Sequence, residues 1–305
     1  MYYTSIRCYN QRMKSLSLSI YPKFQCKADK CLHSCCIGWE IDIDEETFER
    51  YGKISGNLGK KIRNNTEKDP VPHFILDKEE RCPFLNNKGL CEIILEKGES
   101  FLCDICSDHP RYRNPGHIGL GLCCEEVARL FVEESEPITL IELDEDNFDS
   151  IEYDVTAELE ELITVFNSSL TLKKKMEKCA EMYGIDLGLF DKDETFRLLM
   201  DMERLDASWE NYLKSMEDPK IDELKEDENK IFSNIAIYFL HRYLPQSYDE
   251  DSFADYLRFA LWSVRTIISI FRGTKGAKAD LIELLRLFSS EVEYSDENID
   301  KAVFN

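Results

Sequence analysis

Long apolar runs are absent from this sequence, and basic residues are far fewer than acidic ones. No stretch approaches the roughly 18 uncharged apolar residues of a membrane span, and the N-terminal residues lack the apolar core of a signal peptide. These absences predict a cytoplasmic protein with no membrane partner. There are 38 Lys and Arg against 60 Asp and Glu, a formal charge of −22, so the protein's field repels nucleic acid. We therefore expect no nucleic-acid partner.

A glycine-rich nucleotide loop is also missing. The nearest match is Gly119-Leu120-Gly121, which is too short to predict a phosphate-binding turn between a strand and a helix. The sequence therefore gives no independent sign of an ordinary nucleotide-binding domain.

Cysteine, by contrast, is abundant and clustered. All but one of the twelve cysteines lie within the first 124 residues. In a reducing compartment thiols are kept reduced, so clustered cysteines indicate metal ligands or catalytic groups more often than disulfides. We expect a metal centre in the first half of the chain.

The cysteines form two groups along the chain. The first comprises Cys26, Cys31, Cys35 and Cys36, and the second comprises Cys82, Cys91, Cys103, Cys106, Cys123 and Cys124. Thiolates bind both zinc and iron-sulfur clusters in sets of four, so these groups can complete one or two centres. Adjacent cysteines point in different directions in a regular backbone, so we expect only one of each adjacent pair to face a given metal.

Other cysteines and histidines of the chain are not interpreted as metal ligands. Cys8 and Cys179 are interpreted as ordinary thiols, since free cysteine packs like a small apolar residue. The histidines of the region, His33, His109 and His117, are not counted as ligands. A radical-enzyme cysteine triplet is not present either, because Gly38 stands where the third cysteine would be.

The remaining pattern predicts a mainly α protein in which an irregular, metal-stapled region with few short strands precedes an all-α region. Turn-forming residues concentrate in the first part, and short apolar runs at 73–76 and 91–95 are compatible with strands flanking the turn at 87–89. No Lys or Arg occurs between Arg129 and Lys173. We therefore divide the chain into an N-terminal extension (1–20), a cysteine-rich region (21–131), an acidic connector (132–160) and a helical domain (161–305).

Apolar residues recur at helical spacing in the C-terminal half. We predict helices that include 231–243 and 253–271, one long helix at 194–216 and another at 278–288. Such apolar stripes more often form a core than a cofactor site.

The cysteine blocks resemble the bacterial flagellin lysine-N-methylase family. The pattern Phe24-x-Cys26-x4-Cys31-x3-Cys35-Cys36-x-Gly38-Trp39 is followed in order by four further blocks. These are Cys82-Pro83-Phe84-Leu85, Gly89-Leu90-Cys91-x-Ile93, Cys106-x3-Pro110-Arg111 and Cys124-x-Glu126-Val127-Ala128-Arg129-Leu130. The first blocks are also similar to a broader class of zinc- or iron-chelating cysteine-cluster domains.

The resemblance implies a set of metal ligands and a cofactor. The ligands would be Cys26, Cys31, Cys35, Cys36, Cys82, Cys91, Cys106 and Cys124, with Cys103 and Cys123 as extras. An iron-sulfur cluster, favoured as 4Fe-4S, is the implied centre, and zinc is the alternative.

The resemblance also implies methyl transfer from S-adenosylmethionine to lysines of flagellin. Candidate donor-pocket residues lie in or beside the matched blocks: Trp39, Glu40, Asp42, Arg111 and Glu126. Each also has a structural interpretation, namely Trp39 as core, Arg111 as an ion-pair partner and Glu126 as a helix-surface residue. No catalytic base is assigned. The competing hypothesis is a non-catalytic zinc- or iron-chelating module, which would need no cleft between the cysteine-rich region and the helices.

Overall fold

The structure, a computed structural model, describes residues 14–144, 151–274 and 276–303. Thirteen α-helices and six short strands occur in these ranges. The prediction of a mainly helical protein with few short strands is therefore confirmed.

A four-stranded sheet joins distant parts of the chain. Its strands are β1 (Ser15–Leu18), β4 (Arg111–Asn114), β5 (His117–Leu120) and β6 (Leu140–Leu143), in the order β4-β5-β1-β6. Strand β1 is antiparallel to β6 and parallel to β5. The segment predicted as an extension and the segment predicted as a connector thus each supply one strand to this sheet. The domain boundaries themselves stay a prediction.

The cysteine-rich region contains a second, two-stranded sheet and four short helices. The strands are β2 (Thr66–Lys68) and β3 (Pro72–Phe74). The helices are α1 (Glu45–Gly52), α2 (Gly56–Asn64), α3 (Glu92–Lys97) and α4 (Asp104–Asp108). Asp44 caps α1, because its carboxylate accepts a hydrogen bond from the Thr47 amide at 2.8 Å. A small apolar core, centred on the buried rings of Tyr51, Phe74 and Phe84, lies between these elements.

The run at 91–95 was expected to be a strand, and this prediction is wrong. Only Leu85 and Cys91 form a β-bridge across the turn, after which the chain enters α3. In α3, Ile93 is buried while Ile94 and Leu95 face solvent. Three consecutive apolar residues, Ile93 to Leu95, suit a strand or a buried helix equally well, and here only Ile93 is buried in a core.

In the described ranges after β5, the regular structure is helical apart from strand β6. The helices are α5 (Glu125–Glu133), α6 (Thr156–Asn167), α7 (Leu172–Met182), α8 (Lys192–Asp201), α9 (Trp209–Lys214), α10 (Glu226–Tyr243), α11 (Glu250–Gly273), α12 (Lys278–Phe288) and α13 (Asp296–Val303). A π-helical turn, Ser289–Glu293, follows α12. Among the described residues from 151 onward every regular element is helical, which agrees with the all-α prediction for this half.

Helix α10 is the centre of the larger core. Every residue from Ile231 to His241 is buried, so the helix is covered on all sides by α5, α6, α7 and α11. This is the arrangement expected of a helix that is apolar around most of its circumference. The predicted helices at 231–243, 253–271 and 278–288 are confirmed by α10, α11 and α12.

The single long helix predicted at 194–216 is instead two helices. Helix α8 ends at Asp201, and the chain is extended at Met202 before α9 begins at Trp209. The intervening segment is held by a distant carboxylate, since Glu291 accepts hydrogen bonds from the amides of Leu205 at 2.9 Å and Asp206 at 2.7 Å. Apolar periodicity alone does not reveal this long-range contact.

In the described ranges, no helix is both long enough and apolar enough to cross a bilayer.

Candidate metal centre

One cleft of about 650 Å³ gathers the predicted ligands. Its lining includes Cys26, Cys31, Cys35, Cys36, Cys82, Cys91, Cys106 and Cys124. These are the same eight cysteines that the resemblance indicates, and they come from segments almost 100 residues apart. As metal ligands they stay a prediction, but the fold places all eight on one cavity.

Four of these thiols lie against the small core. Cys82 is buried, and Cys36, Cys91 and Cys106 pack on the same apolar cluster. Backbone contacts fix their positions: the Cys82 amide donates to the Cys36 carbonyl at 2.8 Å, and Cys91 is bridged to Leu85. We call Cys36, Cys82, Cys91 and Cys106 the inner set.

The other four thiols lie nearer to solvent and to the helical half. Cys26 and Cys35 are exposed, and Cys31 and Cys124 are half-buried. Cys124 is the residue that precedes α5, and it packs against the larger core. We call Cys26, Cys31, Cys35 and Cys124 the outer set.

Glu125, a residue without a predicted role, joins the two segments of the outer set. It is the first residue of α5, and its carboxylate accepts hydrogen bonds from the amides of Leu32 at 2.7 Å and His33 at 3.2 Å. The loop that carries Cys31 and Cys35 is thereby tied to the helix start that carries Cys124. No local sequence signal predicts this contact, because Leu32 and His33 lie more than 90 residues from Glu125 along the chain.

The two extra cysteines of the second group lie outside the cleft lining. Cys103 is fully buried in the small core. The Cys123 sulfur lies 2.8 Å from the Tyr294 hydroxyl, away from Cys124. Cys179 is buried in the larger core, in accord with its interpretation as an ordinary thiol, and Cys8 lies outside the described residues.

Hydrogen bonds between neighbouring thiols shift the pKa values of four cysteines at or beside this cleft. A hydrogen bond with Cys35 lowers the pKa of Cys36 to about 7 and raises the pKa of Cys35. A hydrogen bond with Cys103 likewise raises the pKa of Cys106 and lowers that of Cys103. Burial raises the pKa of Cys124 to about 12. Several thiols therefore hold their protons near neutral pH, and a bound metal would have to displace them.

The donor chemistry fits a thiophilic metal, although the side chains are not drawn together around a single point. Eight soft sulfur donors on one cavity form the ligand chemistry of zinc-thiolate and iron-sulfur centres. Among the described residues, no three Cys, His, Asp or Glu side chains stand close enough to hold a metal ion as they are. Binding would therefore require the thiols of a set to move toward one another.

Only two of the five candidate donor-pocket residues line the cleft. Trp39 forms part of its wall, half-buried, with its indole NH donating to the Cys35 carbonyl at 2.6 Å. Arg111 lies beside it and donates from Nε to the Tyr21 hydroxyl at 3.0 Å. Its guanidinium also stacks 5.9 Å from the centre of the Phe24 ring, another residue of the cleft wall. Trp39 is thus a wall residue rather than a core residue. Among the residues that the structure describes, Arg111 is held by aromatic side chains rather than by a carboxylate.

Glu40, Asp42 and Glu126 do not line the cleft. Glu126 was expected on a helix surface, and this is wrong: only 4% of its surface is exposed. Its carboxylate accepts from Arg129 Nε at 2.7 Å and lies 3.4 Å from the Lys27 ammonium. Glu126 therefore has a structural role in attaching the outer-set loop to α5.

Two histidines reach the cleft without joining a thiol set. His33 Nε2 lies 2.9 Å from a carboxylate oxygen of Glu283 on α12. His109 packs against Trp39 with ring centres 5.8 Å apart, and burial lowers its pKa to about 4. His117 is buried in β5 and does not line the cleft.

The helical half contains a buried ionic cluster that no sequence pattern predicts. The Glu293 carboxylate lies in the π-helical turn with no solvent exposure and pairs with Arg242 Nε at 3.0 Å. It also accepts hydrogen bonds from the hydroxyls of Tyr243 at 2.8 Å and Tyr238 at 2.9 Å. Tyr238 in turn accepts from the Leu122 amide at 3.3 Å, so the cluster contacts the segment that leads to the cleft.

A second cleft, of about 570 Å³, lies in the helical half. Its lining includes Asp186, Asp191, Glu194, Asp255, Arg258 and Arg265. It contains no cysteine or histidine. The thiol cleft is therefore the candidate metal site.

Comparison with known families identifies the chain. Residues 119–303 match the family model of the FliB lysine N-methylase C-terminal domain, which covers more than half of the sequence. The chain belongs to this family. Of the eight cleft cysteines only Cys124 falls inside the matched FliB region, so the cleft is built mostly from residues that precede it.

Individual relatives agree with the family. The chain is 26% identical over 138 residues to a lysine-N-methylase of Salmonella typhimurium, covering 39% of this chain and 33% of the relative. It is 26% identical over 132 residues to the flagellar biosynthetic protein FliU of Salmonella muenchen, covering 38% of this chain and 76% of that protein. The matched segment thus spans about a third of the lysine-N-methylase. No solved structure matches the chain.

Proposed function

We propose that this FliB-family protein is a lysine N-methyltransferase that acts on flagellin with S-adenosylmethionine as methyl donor. We further propose that its thiol cleft holds a cysteine-ligated centre, an iron-sulfur cluster in preference to zinc. The observation that supports this is the convergence of eight cysteines on one cleft in a chain whose C-terminal half matches the FliB domain. The relatives' names, lysine-N-methylase and flagellar biosynthetic protein, supply the reaction and the substrate class.

The reaction requires a neutral lysine and an accessible methyl group. A lysine ammonium, with a pKa of about 10.4, must first lose a proton to solvent or to a base. The freed Nζ lone pair then forms a bond to the methyl carbon while the sulfur–methyl bond breaks, so that the sulfonium becomes a neutral thioether. The methylated amine carries the positive charge until it releases a second proton.

The wall of the cleft offers contacts suited to such a donor. Aromatic faces attract a sulfonium cation, and Trp39 and Phe24 present such faces beside the outer set. The Arg111 guanidinium is a fitting partner for the donor's carboxylate, since a planar guanidinium binds carboxylates with two parallel hydrogen bonds. A bound centre would supply a thiolate-held metal beside these groups. No residue is assigned as the base.

Methylation is tested directly by incubating the metal-replete protein with flagellin and donor. Mass spectrometry of tryptic peptides should show lysines heavier by one methyl group, and the reaction should depend on donor. Arg111→Ala should raise the KM for donor more than it lowers kcat. Arg265→Ala, in the second cleft, is a matched control. If wild-type protein neither binds donor nor methylates flagellin, the enzyme proposal is wrong.

A metal-chelating module without catalysis is the second candidate. It is favoured by one observation: the lining of the thiol cleft ends at Glu125, so no described helix after α5 contributes to it. A chelator needs no contribution from the helices, whereas a methylase must admit a lysine side chain and a donor. Metal binding without donor binding would favour this candidate.

A further inference from the structure

We propose that the cleft holds two centres with different roles: a structural centre on the inner set and a solvent-accessible centre on the outer set. This inference depends on the proposed metal binding, and it adds the number of centres, their ligands and their division of labour. The inner ligands are Cys36, Cys82, Cys91 and Cys106, and the outer ligands are Cys26, Cys31, Cys35 and Cys124.

Packing divides the thiols in this way. All four inner cysteines belong to or contact the small core, as does Cys103 behind them. None of the outer cysteines contacts that core, and Cys124 packs on the larger one. The outer loop is instead fastened to α5, through the Glu125 carboxylate and the Lys27–Glu126 ion pair. The two sets are thus positioned by different parts of the fold.

The two sets meet at the chain-adjacent pair Cys35 and Cys36.

The inner set has the features of a structural site. The elements around it are short, and α3 and α4 have six and five residues. Helices of that length have little stability of their own, and a small core gains most from a covalent or metal cross-link. Four thiolates from four separate segments of the chain would hold those segments together, as in closed zinc sites.

The outer set has the features of an accessible site. Cys26 and Cys35 are exposed, and the neighbouring wall is formed by Phe24, Trp39 and Arg111. A centre there would face the space in which a donor or a substrate could bind. Under the proposed function, methyl transfer would take place beside the outer set, and the inner centre would keep the walls of the cleft in position.

Paired substitutions test the division. The variants are Cys82→Ser with Cys91→Ser for the inner set, and Cys26→Ser with Cys31→Ser for the outer set. Cys179→Ala, at a buried thiol remote from the cleft, is the control. After anaerobic purification, iron, sulfide and zinc are quantified per chain, and limited proteolysis reports on residues 34–108.

Each pair should remove the metal of one centre and leave that of the other. The outer pair should keep the protease resistance of the cysteine-rich region, whereas the inner pair should lose it. Because the inner variant risks misfolding, release of metal from wild-type protein to a chelator is followed in parallel. Two phases are expected, and only the second should coincide with loss of protease resistance.

Other outcomes overturn the proposal. If the outer pair removes all bound metal while the cysteine-rich region keeps its protease resistance, or if wild-type protein releases its metal in a single phase, the eight thiols serve one centre. A wild-type protein that binds no metal contradicts both this inference and the proposed cofactor. Two phases of release without any methylation would support the two centres and remove the methylase proposal alone.

Discussion

Removing the buried charge of Glu293 should strongly destabilise the protein. The Glu293 carboxylate has no solvent exposure, and the Arg242 side chain that pairs with it is only 12% exposed. The change Glu293→Gln keeps the size of the side chain and an acceptor for the tyrosine hydroxyls but removes the charge. Arg242 is then left as a buried cation without its carboxylate.

The expected loss is large. Removing one partner of a buried ion pair costs about 3–5 kcal/mol, because the remaining charge is desolvated without compensation. The hydrogen bonds from Tyr238 and Tyr243 also weaken in this variant. They belong to the same cluster as the ion pair, so their loss is not added to this free energy as a separate contribution. We therefore expect the free energy of unfolding to fall by about 3–5 kcal/mol in Glu293→Gln.

Urea denaturation followed by circular dichroism measures this difference. Glu210→Gln is the matched control, because it removes a carboxylate from an exposed ion pair. The Glu210 side chain is 40% exposed, and that of its partner Lys214 is 59% exposed. Exposed pairs of this kind contribute at most about 1 kcal/mol. The double variant Glu293→Gln with Arg242→Met should recover part of the loss. If Glu293→Gln is no more destabilising than Glu210→Gln, the buried pair does not stabilise this half of the protein as argued.

Three further predictions concern a ligand choice, a titration and a close contact. Cys106→Ser should lower the bound metal per chain, whereas Cys103→Ser, outside the cleft lining, should keep it; equal loss would contradict this assignment. Burial lowers the pKa of His117 to about 4, so below about pH 6.5 the unfolded chain takes up a proton that the folded chain refuses. The free energy of unfolding should therefore fall by about 2 kcal/mol between pH 7 and pH 5 because of this histidine. The urea midpoint should decrease less over this pH range in His117→Gln than in the wild-type protein. A Cβ at Gly273 would lie 1.7 Å from the Ser215 carbonyl oxygen, so Gly273→Ala should cost more than about 2 kcal/mol, and an unchanged thermal midpoint would refute this.

The sequence by itself determined the features that depend on neighbours in the chain. Apolar residues at helical spacing located α10, α11 and α12, since one face of a helix is set by residues three and four positions apart. The composition located the cysteine-rich region, and the spacing of its cysteines indicated the family to which the chain belongs. None of these inferences required knowledge of what lies across the core.

Only the tertiary structure places Cys106 and Cys124 on the cleft and leaves Cys103 and Cys123 outside its lining, as the resemblance implied. Cys103 and Cys106 lie one helical turn apart, and the direction of each thiol depends on the core against which α4 packs. The same holds for the break between α8 and α9, which is held by Glu291 more than 80 residues away. The burial of Glu293 beside Arg242 depends on how α10 meets the turn after α12. Local periodicity carries no information about such pairings, because their free energy comes from contacts that exist only once distant segments have packed together.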